Sequence, residues 1–368
     1  YFKQIFMKQI RLIINAISLQ FRILFLELTN KNSRLLYERN SQVDKNKIYA
    51  FLDLNNFRST FDIVGFLLYC KIKSFNKKLT LIIIENKTQE VSINSAKEKN
   101  FIGDIDSVKL RTDNIVKTCL EIVEDFKPKK IFISDRNEAN EYLSLESEQK
   151  IPSFAEIDKV IDWDKYYIYI NEHYLKHNTR PTLKSPKHYN ELVKLFIKKN
   201  KIEKRIVTIT LRDSSYFPLR NSTIQSWKEV YKYLEKNNFH PIILDDIENL
   251  SIQSKKNNLT GFNQYNFANI DQRLRLALYE ESFFNLSVNH GPSQLLIYSK
   301  YCNFLIFKHY VDDPQSPASL KAIERIVGLK KHEQYPFFNK YQKLVWNTED
   351  TPNLIIKNFN KITKDLEN

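Results

Sequence analysis

The stretch FNLSVNHGPSQLLIYS, residues 284–299, decides how this chain is interpreted, because a strand-like run, a tight turn and a helix-like run follow one another directly. The apolar residues before Asn289 favour a buried strand, and those after Pro292 favour a helix. Such a unit points free backbone N–H groups and the positive end of a helix at one place, which suits a phosphate. We therefore expect a phosphate site formed by Gly291, Pro292, Ser293 and Gln294.

A second unit of the same kind begins near Arg205. Residues 206–211 are β-branched and apolar, which predicts a buried strand, and the strand runs directly into a polar loop. This loop carries Arg212, Arg220 and Asn221. Ligands of open α/β sheets bind beyond the carboxyl ends of the strands, so the loop and the Gly291 turn would share one edge of a parallel sheet. The sequence predicts an anion pocket there, with Asn221 also suited to capping the next helix.

Composition limits the classes of protein that need to be considered. The chain has 368 residues, of which 42% are hydrophobic, enough for two domains with cores of their own. The net charge of +14 favours an anionic partner, but no basic and aromatic platform typical of nucleic-acid modules is present. Three dispersed cysteines indicate neither a disulfide framework nor a zinc site, which favours a cytoplasmic location. Seven histidines lack metal-ligand spacing, so we expect no metal.

The order of predicted elements indicates an α/β protein. Strands and helices alternate from residue 48 to residue 135 and again from 206 to 307, as in two Rossmann-like domains with parallel sheets facing each other across a cleft. We divide the chain into an apolar helical segment (1–46), a first domain (47–200), a second domain (201–346) and a final helix that packs back on the first domain (347–368). Two interpretations of the first segment stay open, namely an amphipathic helix on an anionic membrane surface and a helix packed on the first domain.

The predicted layout and one of its turns resemble those of a known protein family. The two-domain layout, the final helix and the turn VNHGPSQL (288–295) are similar to glycosyltransferases of the GT-B fold, and the turn resembles the Gly-Pro phosphate turn of heptosyltransferase-like enzymes. The chain departs from that pattern at Asn289 and His290, where an acidic and a small hydroxyl residue would stand, and at Gln294, where a histidine would stand. The resemblance implies a nucleotide-sugar donor seated mainly in the second domain, with no cofactor besides this co-substrate.

Transfer of a sugar to a hydroxyl requires a base, and the carboxyl end of a first-domain strand is the natural place for it. The candidates are Asp53, which we prefer, and Asp135, and each is equally suited to capping a turn. His290 is a third catalytic candidate, facing a phosphate or the sugar ring. Asp245 and Asp246 end a second-domain strand where nucleoside recognition is expected. Of Arg273 and Arg275, two residues apart on one helix, only one can face the cleft.

The sequence thus predicts a metal-independent glycosyltransferase that uses a nucleotide-sugar donor and a glycan or lipid-linked acceptor in bacterial surface polysaccharide or lipopolysaccharide assembly. It would lie in the cytoplasm, peripheral to the inner face of the membrane. Two alternatives remain at this stage, because a fold does not determine its chemistry. One is a sugar-nucleotide epimerase or hydrolase of the same fold, and the other is a non-catalytic, basic, membrane-associated binding protein.

Overall fold

The computed structural model describes residues 47–54, 59–85, 109–133, 150–151, 164–246 and 259–367. The predicted N-terminal helical segment (1–46) and the candidate base Asp135 lie outside these residues. Across the described ranges, no helix has the length and apolar character needed to cross a membrane.

The first sheet has four parallel strands in the order β3-β2-β1-β4. They are β1 Lys47–Asp53, β2 Lys78–Ile84, β3 Lys129–Ile133 and β4 Lys150–Ile151. Helix α1 (Asp62–Lys73) connects β1 to β2, and a π-helical segment, Thr112–Val116, continues into the short helix α2 (Lys117–Cys119) before β3. The ends of β1 and β2 are buried, as the continuous apolar runs of both strands require.

The second sheet has five parallel strands in the order β6-β5-β7-β8-β9. They are β5 Arg205–Thr210, β6 Phe239–Leu244, β7 Phe284–Val288, β8 Phe304–Phe307 and β9 Gln342–Leu344. The helices of this part are α5 Ile224–Lys236, α6 Phe267–Ile270, α7 Gln272–Glu281, α8 Ser293–Tyr298 and α9 Leu320–Val327. The prediction of two α/β domains with parallel sheets is therefore confirmed.

Two helices lie between the sheets in sequence, α3 (Asp164–His177) and α4 (Lys187–Lys199). Helix α3 packs on α1 and on α9, and thus contacts both domains. Its Tyr167 ring stacks on Tyr298 of α8 at a centroid distance of 5.7 Å, so this tyrosine-rich helix packs the interdomain region. Helix α4 packs on α7, although the predicted boundary after residue 200 assigns α4 to the first domain.

The last helix, α10 (Pro352–Glu367), packs on the second domain. Phe359 lies between Phe239 and Phe284, at centroid distances of 5.3 and 5.7 Å, and this burial contributes on the order of 2 kcal/mol. Just before the helix, the buried Asp350 accepts a hydrogen bond from Trp227 Nε1 at 2.7 Å. The prediction that this helix packs back on the first domain is therefore wrong for the described residues, because its apolar face completes the core of the second domain.

Polar contacts also join the two domains. Gln272 at the start of α7 donates from its backbone N–H to Thr118 Oγ1 (3.3 Å) and from Nε2 to the Asn114 carbonyl (3.1 Å). Arg273 forms an ion pair with Glu121 at 3.2 Å. These contacts bring the carboxyl edge of the second sheet against the loops of the first domain.

Candidate functional site

A cavity of about 270 Å³ lies between the two domains. The first domain contributes Thr60, Phe61, Asp62 and Arg111 to its wall, and the second contributes the loops that follow β5, β6, β7 and β8 together with α6 and α7. The cavity thus lies beyond the carboxyl ends of the second-domain strands, where ligands of open parallel sheets bind.

The loop after β5 is shaped by Arg212. Its guanidinium donates to the carbonyl oxygens of Tyr216 and Phe217 and to Asn221 Oδ1, and its backbone N–H donates to Ser222 Oγ at 2.9 Å. Asn221 also accepts from the Ser214 N–H (3.1 Å) and donates to the Ser214 carbonyl (2.9 Å). Arg212 therefore lines the cavity, and its hydrogen bonds fix the conformation of the loop. The hydrogen bonds of Asn221 to Arg212 and Ser214 stabilise the same loop.

Arg220 joins the two predicted phosphate-binding segments. Its Nη2 donates to the Asn289 carbonyl at 3.1 Å, so the β5 loop and the Gly291 turn lie side by side, as the sequence indicates. Its Nε is buried without a hydrogen-bond partner among the described residues. Burial, reinforced by the nearby positive charge of Arg212, lowers the pKa of Arg220 to about 9. The cation is thus held facing the cavity in an environment that disfavours its charge.

The Gly291 turn differs from the phosphate-binding turn that the sequence predicts. The N–H groups of His290, Ser293, Gln294 and Leu295 all donate within the turn itself, to Ser293 Oγ and to the carbonyls three residues earlier. The expectation that this turn presents several free N–H groups is wrong, because tight i to i−3 bonds use them. Pro292 and Gln294 still line the cavity, and the Gln294 Oε1 atom is buried without a partner in the described structure. Ser293 is buried and donates to the His290 carbonyl at 2.5 Å.

Gly291 has a different structural role. A Cβ atom at this position would lie 2.5 Å from Cδ2 of Phe61, a buried first-domain residue. The glycine does not adopt a positive φ, so the requirement is close approach and not backbone conformation. The absence of a side chain at Gly291 lets the first domain contact the second beside the cavity.

Two buried histidines line the same cavity. His290 donates from Nδ1 to the Val288 carbonyl at 2.8 Å, which leaves the buried Nε2 without a partner in the described structure. Burial and the nearby Arg275, Arg212 and Arg220 lower its pKa well below the ordinary value. His309, which the sequence analysis missed, has neither ring nitrogen bonded within the described ranges, and burial with the charge of Arg220 lowers its pKa to about 3. Its position just after β8 could have indicated it.

The first-domain carboxylate on the cavity wall is Asp62. It lies in the first turn of α1, and Oδ2 accepts a hydrogen bond from Thr60 Oγ1 at 2.6 Å. Asp53 is buried at the end of β1 and does not belong to the cavity wall. The role of Asp53 as a base stays a prediction, whereas Asp62 is a carboxylate that the sequence analysis missed. Its position at the start of α1, just after the loop that follows β1, could have indicated it.

Of the remaining predicted residues, some line the cavity and others lie beside or outside it. Asp246 lines the cavity and accepts from the Asp213 N–H at 3.4 Å, whereas Asp245 lies beside it and accepts from the Asp246 N–H at 2.9 Å. On α7, Arg275 faces the cavity and is 2% exposed, while Arg273 pairs with Asp271 and Glu121 away from it. The expectation that only one of the two arginines faces the cleft is confirmed.

The wall thus carries four guanidiniums, three of them from the second domain, two uncharged histidines, and two carboxylates, Asp246 from the second domain and Asp62 from the first. This arrangement can bind a multiply charged anion, stabilise negative charge that develops on it, and offer a base across the cleft. In the part of the chain that the structure describes, no group of three or more His, Cys, Asp or Glu side chains could hold a metal ion.

No family model matches the chain, and no curated protein matches it. Among solved structures, the chain is similar to the glycosyl transferase family 9 protein from Veillonella parvula DSM 2008, at 10% identity over 89% of this chain and 91% of that one, with a TM-score of 0.43.

It is also similar to the iron-containing dodecameric glycosyltransferase TibC from enterotoxigenic E. coli H10407, at 11% identity over 87% of this chain and 77% of that one, with a TM-score of 0.45. A third similar structure is the E. coli ADP-heptose lps heptosyltransferase II, at 9% identity over 88% of this chain and 100% of that one, with a TM-score of 0.38. Similarity at this level identifies no substrate and no catalytic residue in this chain.

Proposed function

We propose that this chain is a glycosyltransferase that moves a sugar from a nucleotide-sugar donor to a glycan or glycolipid acceptor. One observation carries the proposal: the guanidinium of Arg220 faces the interdomain cavity beside those of Arg212 and Arg275, and its Nε is buried without a hydrogen-bond partner among the described residues. Several cations in one cavity, with a buried donor left unsatisfied, disfavour the ligand-free fold and favour an anion that neutralises them. The diphosphate of a nucleotide-sugar supplies that charge.

The chemistry follows from where charge develops. As the bond between sugar and phosphate breaks, negative charge builds on the departing phosphate, and preoriented guanidiniums stabilise it more in the transition state than in the substrate. Arg220 Nε is a donor without another partner among the described residues, which suits this role. His290 Nε2 is an acceptor while the ring is neutral, and becomes a further donor to phosphate if the bound anion raises its pKa.

Activation of the acceptor is assigned to Asp62. The carboxylate is on the first-domain side of the cavity, opposite the arginine-bearing loops, so an acceptor hydroxyl entering between the domains would meet it. The hydrogen bond from Thr60 Oγ1 holds one carboxylate oxygen in place, and a positioned carboxylate is a common general base. Because guanidiniums supply the positive charge, the proposed transfer requires no metal.

The cellular setting is proposed from the resemblance of the Gly291 turn to heptosyltransferase-like enzymes. It places the enzyme in the cytoplasm, on the inner face of the membrane, in bacterial surface polysaccharide or lipopolysaccharide assembly. The net charge of +14 supports contact with an anionic membrane surface.

The first experiment is a thermal-shift series with UDP, GDP, CMP and ADP and their sugar conjugates, each with magnesium and with a chelator. A ligand that binds only the folded state raises Tm, by an amount corresponding to roughly 2.7 kcal/mol at a hundred times its Kd. A shift with one nucleotide that survives chelation supports the proposal. The absence of any shift at saturating concentrations would reject it.

Two isosteric variants then test the base. Asp62→Asn should leave donor binding intact and slow transfer by roughly 10²- to 10⁴-fold, the usual contribution of a general base. Asp53→Asn is the matched control and tests the assignment made from the sequence. If Asp53→Asn alone abolishes transfer, Asp62 is not the base. Turnover of donor without acceptor would identify a hydrolase instead.

A further inference from the structure

Three polar side chains on α6 and α7 form a separate polar cluster in the cavity wall. Asn269, Gln272 and Arg275 are 1%, 1% and 2% exposed, and each has one buried polar atom without a hydrogen-bond partner within the described residues. Buried polar atoms are almost always satisfied in folded proteins, so three such atoms in one cluster indicate a missing partner.

The orientation of each side chain is fixed by its other atoms. Gln272 Nε2 donates to the carbonyls of Asn114 (3.1 Å) and Asn269 (3.5 Å), so Oε1 is the acceptor left over. Asn269 Oδ1 accepts from Arg275 Nη2 at 3.3 Å, so Nδ2 is a donor left over. The assignment of amide oxygen and nitrogen therefore follows from bonding to groups that can only donate or only accept.

Arg275 is fixed in the same way. Its Nε donates to the Ala268 carbonyl at 2.8 Å and its Nη2 to the Asp245 carbonyl at 3.3 Å, which leaves Nη1 as a second free donor. The cluster thus offers two donors and one acceptor. A phosphate or carboxylate could accept from both donors, but it would leave Gln272 Oε1 facing an anion with nothing to accept from. A hydroxyl both donates and accepts, so two neighbouring hydroxyls satisfy all three atoms.

We infer that Asn269, Gln272 and Arg275 form a diol subsite that binds two neighbouring hydroxyls of a sugar ring. This inference rests on the proposed function, which brings a nucleotide-sugar into the cavity. The hydroxyls come either from the ribose of the nucleotide or from the transferred sugar. The contact between Gln272 and Asn114 places the subsite where the two domains meet.

The test compares ligands that differ by one hydroxyl, measured by isothermal titration calorimetry. One arm uses UDP, GDP and ADP with their 2′-deoxy and 3′-deoxy analogues. The other uses UDP-glucose, GDP-mannose and ADP-glucose with their 2-deoxy and 3-deoxy sugar analogues. Loss of one hydroxyl should weaken binding to the wild-type chain by roughly three- to tenfold, in the arm that holds the diol.

Asn269→Leu is the decisive variant, because it keeps much of the side-chain volume, removes the free Nδ2 donor and offers a hydroxyl no polar atom. It should bind the parent ligand and the deoxy ligand with affinities within about twofold of each other. Asn269→Asp is the matched control, since the carboxylate oxygen in place of Nδ2 still accepts from a hydroxyl, and it should retain the discrimination. Gln272→Leu, which removes the free Oε1 acceptor, provides the same test if Asn269→Leu does not fold.

Discrimination that persists in Asn269→Leu, or that is absent from the wild-type chain in both arms, overturns the diol subsite while leaving the proposed function standing. A preference that follows the base and not the hydroxyls also overturns it. Failure of every nucleotide to bind the wild-type chain overturns the subsite and the proposed function together.

Discussion

Replacing Arg220 with methionine removes a charge from the cavity wall and keeps most of the side-chain volume. In the folded protein the Nε of Arg220 is buried without a partner in the described structure, and burial together with Arg212 lowers the pKa of Arg220 to about 9. Both observations indicate that the ligand-free fold holds this cation unfavourably. The variant should therefore be more stable than the wild type in the absence of ligand and defective in binding.

The magnitude follows from two opposing contributions. Replacing a buried charge by an apolar group of similar volume is neutral or stabilises by up to about 4 kcal/mol. Loss of the hydrogen bond from Arg220 Nη2 to the Asn289 carbonyl costs about 1 kcal/mol. Since Arg220 is partly exposed, a net gain of about 1 kcal/mol is reasonable. For a chain of 368 residues it would raise Tm by roughly 1–2 °C.

Nucleotide binding should change in the opposite direction. A charge-assisted hydrogen bond contributes roughly 1.5–3 kcal/mol, so Arg220→Met should bind the nucleoside diphosphate roughly 10- to 150-fold more weakly. Scanning calorimetry gives Tm and titration calorimetry gives Kd. Arg273→Met is the control, because Arg273 pairs with Asp271 and Glu121 outside the cavity, and it should lower Tm and leave Kd unchanged. A lower Tm with an unchanged Kd in Arg220→Met would refute the reasoning.

Two further predictions concern Gly291 and His309. Gly291→Ala places a methyl group 2.5 Å from Phe61 Cδ2 and should lower the free energy of unfolding by about 1–3 kcal/mol. In a Phe61→Ala background the same change should cost less than about 0.5 kcal/mol, and equal costs in urea unfolding would exclude the contact as the cause. The folded-state pKa of His309 is about 3, below its ordinary value, so wild-type stability should fall as pH decreases from about 6.5 toward 3. His309→Phe should reduce that slope by up to about 1.4 kcal/mol per pH unit, and identical slopes would contradict the assignment.

Much of the fold could be predicted from local pattern. Strand β7 occupies residues 284–288, the bounds expected from its sequence, because a short apolar run between turn residues leaves little alternative. Helix α3 was missed since it is buried against both α1 and α9, and a helix covered on two sides has no single apolar stripe. Strands β4 and β9 contain two and three residues, too few for a periodic signal.

The candidate site was predictable only in part. The rule that ligands bind at the carboxyl ends of parallel strands indicated Arg212, Arg220 and the Gly291 turn, and the structure brings them together. The same rule covers the segments that hold Asp62 and His309, but which of their residues face the cavity depends on the docking of the two domains, which the sequence of either domain does not encode locally. Four of the N–H groups at the turn are not available to a ligand because hydrogen bonds within the turn, such as that from Gln294 N–H to the Gly291 carbonyl, already use them.

Helix α3 has a consequence for how this chain could be divided or recombined. A Cβ at Gly65 of α1 would lie 2.8 Å from Tyr167 Cε1, so α3 fits closely into the first domain. On its other side, Asn171 Nδ2 donates to the Val327 carbonyl at 2.6 Å, at the end of α9 in the second domain. A chimera that takes one domain from another protein would therefore have to transfer α3 and α9 as a pair. The boundary at which a domain could be exchanged is therefore set by the packing of these two helices and not by the position of the linker in the sequence.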